Sequence, residues 1–374
     1  MDSLKTSNIK QLNRNRVFRL IASCDKIAKQ DISAELSMSL PTVTQNLNEL
    51  KAKGLIADIG SFVSNGGRRA RALSLVSDAY VAVGLDITRN HIALVMLDLK
   101  ANIIKSIRKR IKTENTPEYY HYLVDETNAF IASTGISRDK VLGVGITIPG
   151  IVIKDGTEIE EADSIDIDRD FYNIFKDYFD LPYILINDAN ASGYAEFHFS
   201  PPTTDMAYIF LSNTIGGAIL MNSSMHYGVN WRAGEFGHMT LIPGGMRCHC
   251  GRYGCADPYL CAGYLAQYTN DNLGMFFEEM EKGNPEMAEA FDTYLHNLAI
   301  MINNIRMCLD CEIVLGGYVG SYMGKYLNTL KQLVKERLTF ARNDVDFIKC
   351  CTLKLESSAV GGALYYIDLF VQNI

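Results

Sequence analysis

Three cysteines fall within eight residues in the stretch CHCGRYGC, Cys248–Cys255, inside the longer run GEFGHMTLIPGGMRCHCGRYGCADPYL. A loop so rich in thiols and glycines needs something other than regular hydrogen bonding to hold its shape. The chain has nine cysteines in all, an odd number at uneven spacing. That points to free thiols or metal ligands rather than to a disulfide framework. The opening MDSLKTSNIK lacks the apolar core of a signal peptide, and no uninterrupted apolar run is long enough to span a bilayer. A cytoplasmic protein with no membrane partner is therefore expected. Its 374 residues exceed one ordinary core, so two or three folding units are expected.

Charge divides the chain. Residues 1–75 carry 12 Lys+Arg against 6 Asp+Glu, leaving 24 against 37 for the rest, out of totals of 36 and 43. A basic head on an acidic body suggests that the head alone meets a polyanion. IKQLNRNRVFRLIASCD and KQDISAELSM read as two helices. LPTVTQNLNELKAKGL then places Leu40, Val43, Leu47 and Leu50 on one apolar stripe, with Ser39 as N-cap and Gly54 as the stop. The opposite face presents Pro41, Thr42, Gln45, Asn48 and Glu49, with Thr44 beside them; the short polar side chains among these can approach base edges. LIADIGSF and RALSLV read as strands joined by VSNGGRR, whose Asn65-Gly66-Gly67 suits a tight hairpin. Arg68 and Arg69 at its tip would reach phosphates or a minor groove. Together these elements predict a winged helix-turn-helix over residues 1–75. The alternative is a three-helix interaction module that never touches DNA.

After a linker over residues 76–80, strands and glycine turns alternate for some 290 residues. VAVGLDITRNHIALVMLDL reads as two adjacent strands, YILINDANASGYAEF as a strand entering a helix, and SSAVGGALYYIDLFV as a final helix. This texture predicts two α/β lobes with a ligand between them.

The motifs NDAN (Asn187–Asn190), GEFGH (Gly234–His238), CHCGRYGC and the turns IGG and LGG resemble those of the ROK family, which contains repressors and sugar kinases, and specifically its DNA-binding repressor branch. The resemblance covers essentially the whole chain. It implies a winged helix followed by a two-lobed, actin-like ATPase (ribonuclease H-like) body: residues 81–197 and the helix 357–374 in the first lobe, residues 198–356 in the second. It also implies a structural zinc ion, one per chain, on His238, Cys248, Cys250 and Cys255. Three thiolates and one imidazole are the composition of a closed tetrahedral site. By the same resemblance Gly150, Asn187, Asp188, Glu235, His238 and Asp257 face a sugar, Asp188 being the general base in kinases. His249 is expected to face solvent, and the other cysteines to be buried.

Two departures shape the functional expectation. The kinases of the family open the body with Asp-x-Gly-Gly-Thr, whose glycines let the backbone cradle phosphates. Here the segment is Asp86-Ile87-Thr88-Arg89-Asn90, and SNTIGGA also departs from the second phosphate loop. Catalysis is therefore not expected. Asp257 stands where the family has Glu, so its carboxylate would fall short of a sugar by one methylene, and SIDIDRDFY lacks the usual sugar-contacting pattern. The expected protein is a sugar-responsive repressor, dimeric or tetrameric, that binds operator DNA and a sugar or sugar derivative. The alternatives are an active sugar kinase with a DNA-binding head, a zinc sensor, and a repressor regulated by a protein partner.

Overall fold

The computed structural model describes residues 2–62, 70–200, 205–338, 345–354 and 356–374. The expected hairpin tip, with Arg68 and Arg69, lies outside the described residues. The chain opens with three helices, α1 (Asp2–Ala22), α2 (Lys29–Leu36) and α3 (Leu40–Ala52). Ser39 caps α3, its hydroxyl accepting the Thr42 N–H at 3.3 Å, and Gly54 follows the helix at φ +70°. Val43, Leu47 and Leu50 are buried, but Leu40, expected on the same stripe, is 44% exposed. The buried stripe starts one turn later, and Asn46 joins it by donating to the Thr42 carbonyl at 2.8 Å. Three short strands, β1 (Ile27–Ala28), β2 (Ile56–Ser61) and β3 (Arg71–Leu75), form an antiparallel sheet in the order β1-β3-β2. β1, two residues long, carries no alternation to read.

Residues 76–80 are pinned along their length. Val76 N–H donates to the Leu55 carbonyl and Leu99 N–H to that of Ser77, each at 2.9 Å. The Tyr80 ring packs 4.9 Å from that of Phe370.

The first half of the body contains β4 (Val81–Thr88), β5 (His91–Asp98), β6 (Ile103–Arg110), α4 (Pro117–Ala132) and β7 (Val141–Ile148). A small hairpin, β8 (Ile151–Ile153) and β9 (Glu158–Glu161), precedes α5 (Phe171–Lys176), β10 (Tyr183–Asn187) and α6 (Asp188–Phe199). The sheet runs β10-β7-β4-β5-β6. β4 and β7 are almost continuously apolar because both faces of the sheet are covered. β6, IIKSIRKR, is an exposed edge whose cations discourage further pairing. Those same cations hide it from an apolar-pattern search.

The second half repeats the plan with β11 (Met206–Leu211), β12 (Ile215–Met221) and β13 (Ser224–Met225). Helices α7 (Asp257–Leu260), α8 (Ala262–Ala266), α9 (Leu273–Glu281) and α10 (Pro285–Leu309) follow, then β14 (Glu312–Gly316), α11 (Gly317–Gly320), α12 (Leu327–Lys335) and β15 (Ile348–Cys350). Its strand order, β13-β12-β11-β14-β15, matches that of the first sheet: an antiparallel meander extended by two parallel strands. Among the described residues no helix is long and apolar enough to cross a membrane.

The last helix, α13 (Ser357–Asn373), lies across β4, β7 and α6. It approaches the sheet backbone to backbone: a Cβ on Gly145 would sit 2.1 Å from the Gly362 carbonyl oxygen. Its far end joins the head. Val17, Phe18 and Ile21 of α1 share one buried cluster with Val360, Ile367 and Val371. Gln11 and Asn15 donate to the Gln372 carbonyl at 2.7 and 3.1 Å, and Arg14 Nε donates to that of Ile374 at 2.7 Å.

Gly145→Ala is expected to lower stability by ~1–3 kcal/mol, because the added methyl must displace backbone. Gly324→Ala, at a position with nothing within 4 Å, is the control and should change stability by less than ~0.5 kcal/mol. Denaturant titration of the two variants reads the difference.

Candidate functional site

The thiol-rich loop folds back on the segment that carries His238. Leu241 N–H donates to the Gly254 carbonyl at 2.7 Å, Ala256 N–H to that of Met239 at 2.9 Å, and Cys248 N–H to that of Arg252 at 2.8 Å. The donor atoms of His238, Cys248, Cys250 and Cys255 consequently lie within 4.8 Å of one another. His238 Nδ1 is 3.8 Å from Cys248 Sγ, and Cys250 Sγ is 3.8 Å from Cys255 Sγ. A tetrahedron with metal–sulfur distances of ~2.3 Å has sulfur–sulfur edges of ~3.8 Å, so donor chemistry and spacing both fit a metal ion. Burial pushes the Cys248 thiol up to about 12 and holds the His238 imidazole below its usual range. A cation would overcome the first shift by drawing out the thiolate, and the second leaves the neutral ring that ligates metals.

Beside this cluster opens a cleft of about 430 Å³. Gly150, Asn187, Asp188, Glu235 and His238 all line it, together with Thr214 of SNTIGGA and residues the sequence did not single out: Glu161, Asp163, Arg232 and Arg252. Ser164, the first residue of SIDIDRDFY, lines it as well. Asn187 caps α6, accepting the Asn190 N–H at 2.8 Å, while its Nδ2 donates to the Gly150 carbonyl at 2.8 Å. Gly150 has no room for a side chain, since a Cβ there would meet the Glu161 carbonyl oxygen at 2.4 Å. Asp188 follows as the first residue of α6. Desolvation, with Glu235 adding to it, raises its carboxyl to about 7. Burial, then the nearby Glu161, raises Glu235 as well.

His238 belongs to both sites. Its Nδ1 faces the thiols and its Nε2 lies 4.0 Å from Glu235 Oε2 on the cleft side.

One expectation about the cleft is corrected here. Asp257 does not line the cleft. It is buried, with Oδ1 accepting the Ile215 N–H at 2.7 Å and Oδ2 3.3 Å from His249 Nδ1. The shorter side chain points its carboxylate into the protein, where two partners engage it. His249 is exposed, as expected, and its ring stands beside that carboxylate at the edge of the cleft. The donor atoms of Cys248, His249 and Asp257 also lie within 4.8 Å of one another, close enough to hold a metal ion. Of the remaining cysteines, Cys311 and Cys351 are buried, but Cys308 is exposed.

In the first half, within electrostatic reach of Asp188, Asp86 is buried and accepts the Thr147 hydroxyl at 2.7 Å. Arg89 stands exposed in the β4–β5 turn. Arg108, which the sequence did not mark, bridges the halves. It donates to the Tyr318 hydroxyl of α11 and pairs with Glu356, the residue preceding α13, at 3.3 Å.

In the head, Pro41, Thr44, Gln45, Asn48 and Glu49 share one open face of α3 with Leu40. Thr42 instead turns its hydroxyl to that of Ser39 at 2.8 Å. Gln45 donates to Glu49 at 3.2 Å, and Glu49 in turn pairs with Arg14.

The ROK family model matches residues 82–368. The xylose repressor of Bacillus subtilis is 28% identical over 262 residues, covering 69% of this chain and 68% of that one. The transcriptional dual regulator NagC of Escherichia coli is 25% identical over 252 residues, covering 67% and 62%. Among solved structures, a ROK family transcriptional regulator described as a homologue of the Escherichia coli MLC protein superposes with a TM-score of 0.75 at 20% identity, over 98% of this chain and 100% of that one. A ROK family glucokinase from Streptomyces griseus, solved with glucose and AMPPNP, gives 0.65 at 22%, over 76% and 98%. These likenesses show an α/β fold of the actin-like ATPase type.

Cys250→Ser should abolish stoichiometric metal by atomic absorption and lower the melting temperature by several degrees; unchanged metal content would refute the four-residue set. A second expectation concerns Asp86, whose carboxyl burial raises from 3.8 to about 7. The folded protein therefore retains a proton that the unfolded chain releases above about pH 4. The stability linked to this group is full below that pH and is lost as pH rises through 7. Asp86→Asn is expected to flatten that decline in a series of melting temperatures across the window.

Proposed function

The chain belongs to the ROK family, and we propose that it is a sugar-responsive transcriptional repressor. In this reading residues 1–75 form a winged helix-turn-helix, and the body, in lobes 81–197 with 357–374 and 198–356, senses a sugar or sugar derivative. The observation that carries it is the two-sided environment of His238, one nitrogen toward three thiols and the other toward a cleft lined by Asn187, Asp188 and Glu235. Such a wall of acceptors and amide donors suits the hydroxyls of a carbohydrate. The metal is zinc, held by His238, Cys248, Cys250 and Cys255 in a structural role. When bound it locks the loop and leaves the outward nitrogen of His238 protonated for a ligand oxygen.

The DNA-reading surface is α3, with Pro41, Thr44, Gln45 and Asn48 toward the bases, Thr42 supporting the cap, and Arg68 and Arg69 meeting phosphates. A twofold dimer, or a tetramer built from it, would present two such helices to a pseudo-palindromic operator in the cytoplasm. Chemistry is absent from this reading. The glycines of the phosphate cradle are replaced, and Arg108 spans the halves to Tyr318 and Glu356 beside Asp86. The rival reading, an active sugar kinase, draws on the likeness to the glucokinase fold. It requires phosphoryl transfer from ATP to a sugar, and measurable turnover by the purified protein would establish it.

Binding assays test the DNA surface. Gln45→Ala is expected to weaken operator binding by ~10-fold or more with little effect on random DNA, as loss of a base contact does. Arg69→Ala should weaken both and reduce the salt dependence by about one counterion. Equal losses from the two substitutions on both DNAs would overturn the assignment of α3 as the reading helix.

A further inference from the structure

Two imidazoles stand side by side in the wall of the cleft. The rings of His238 and His249 lie 5.2 Å apart, centroid to centroid, at 61° to each other, and both line the cavity. Each has its Nδ1 turned toward the protein: that of His238 is 3.8 Å from Cys248 Sγ, that of His249 3.3 Å from Asp257 Oδ2. Asp257 is only 6% exposed, and its other oxygen accepts the Ile215 N–H at 2.7 Å. That bond fixes the carboxylate and leaves Oδ2 to the ring. A carboxylate accepts and does not donate, so Nδ1 of His249 carries the proton, and in the neutral ring Nε2 offers a lone pair. A metal ion on Nδ1 of His238 leaves that ring the opposite way round, with its proton on Nε2.

We infer that His249 is a specificity-determining residue of the cleft, its Nε2 accepting a hydroxyl hydrogen from a polyhydroxylated ligand, with Asp257 as the positioning residue that sets the tautomer. The inference rests on the reading of the cleft as a sugar site. It gives the adjacent rings complementary roles, donor at His238 and acceptor at His249, which suits two neighbouring hydroxyls on one sugar ring. The competing role for His249 is metal ligation, because its Nδ1 is also 3.7 Å from Cys248 Sγ.

The test uses the full-length, zinc-loaded protein and the variants His249→Phe and Asp257→Asn. Long-range proton–nitrogen NMR of the labelled histidines reads the tautomer, the His249 signal being identified by its loss in His249→Phe. Calorimetry with D-xylose, D-glucose, N-acetyl-D-glucosamine and D-glucose 6-phosphate reads affinity, and atomic absorption reads zinc. The expected result is an Nδ1-protonated His249 and a ~10- to 100-fold loss of affinity for the bound probe in His249→Phe, at unchanged zinc content. Asp257→Asn turns an N–H toward the ring, moves the proton to Nε2, and should produce a similar loss. An Nε2-protonated His249 in the wild type, or a His249→Phe variant that binds the probe as tightly as wild type, overturns the inference and leaves the sugar cleft standing. Loss of zinc from folded His249→Phe makes His249 a metal ligand and overturns it too. Failure of the wild type to bind any of the four probes overturns the cleft reading and this inference together.

Discussion

One imidazole ring ties the two functional regions of the body together. The nitrogens of His238 are fixed relative to each other by the aromatic plane, so placing Nδ1 among the thiols also decides where Nε2 meets the cleft. The loop from Met239 to Ala256 is held by a few backbone bonds and contains neither a long helix nor a long strand. Its shape therefore depends on what gathers Cys248, Cys250 and Cys255. The cleft inherits that dependence directly. Glu235 and His238 lie only three residues apart, and Gly234 before them approaches the Gly217 carbonyl too closely to carry a side chain.

Much of this architecture was legible in the sequence where one interaction dominates. Ser39 as a cap, the stripe Val43–Leu47–Leu50, and the apolar runs of β4 and β7 follow from local rules of capping and burial. The Cys–His cluster was legible because few other arrangements explain three thiols in eight residues. What escaped detection depends on partners distant in sequence. β6 is a strand because β5 pairs with it, despite its four Lys and Arg side chains. Arg108 matters through Tyr318, 210 residues away. The contact of His249 with Asp257 needed the direction of that carboxylate, which points into the protein rather than into the cleft. Arg232 and Arg252 carry no local signal at all, since surface arginines are common.

The basic character of the head is likewise less free than its composition suggests. Arg14 pairs with Glu49, Lys51 and Arg71 share Asp58, and Arg19 reaches Asp368 of α13. These four cations thus tie the head together and to its seat on the body. Arg14 contacts at once α3, through Glu49, and the end of the body, through the Ile374 carbonyl. No slack segment separates the two regions, since residues 76–80 are bonded on both sides and the apolar core runs through without a break.

Helix α13 behaves mechanically as a beam anchored at both ends. Near Glu356 it meets Arg108 at the junction of the halves, and near Gln372 it carries α1. Seventeen residues span ~25 Å at 1.5 Å each, so a ~5° turn of the first half together with its packed helix would become a sweep of ~2 Å at the outer end. A displacement of that size around a molecule bound in the cleft would, in the proposed reading as a sensor, move α1 without any element unfolding.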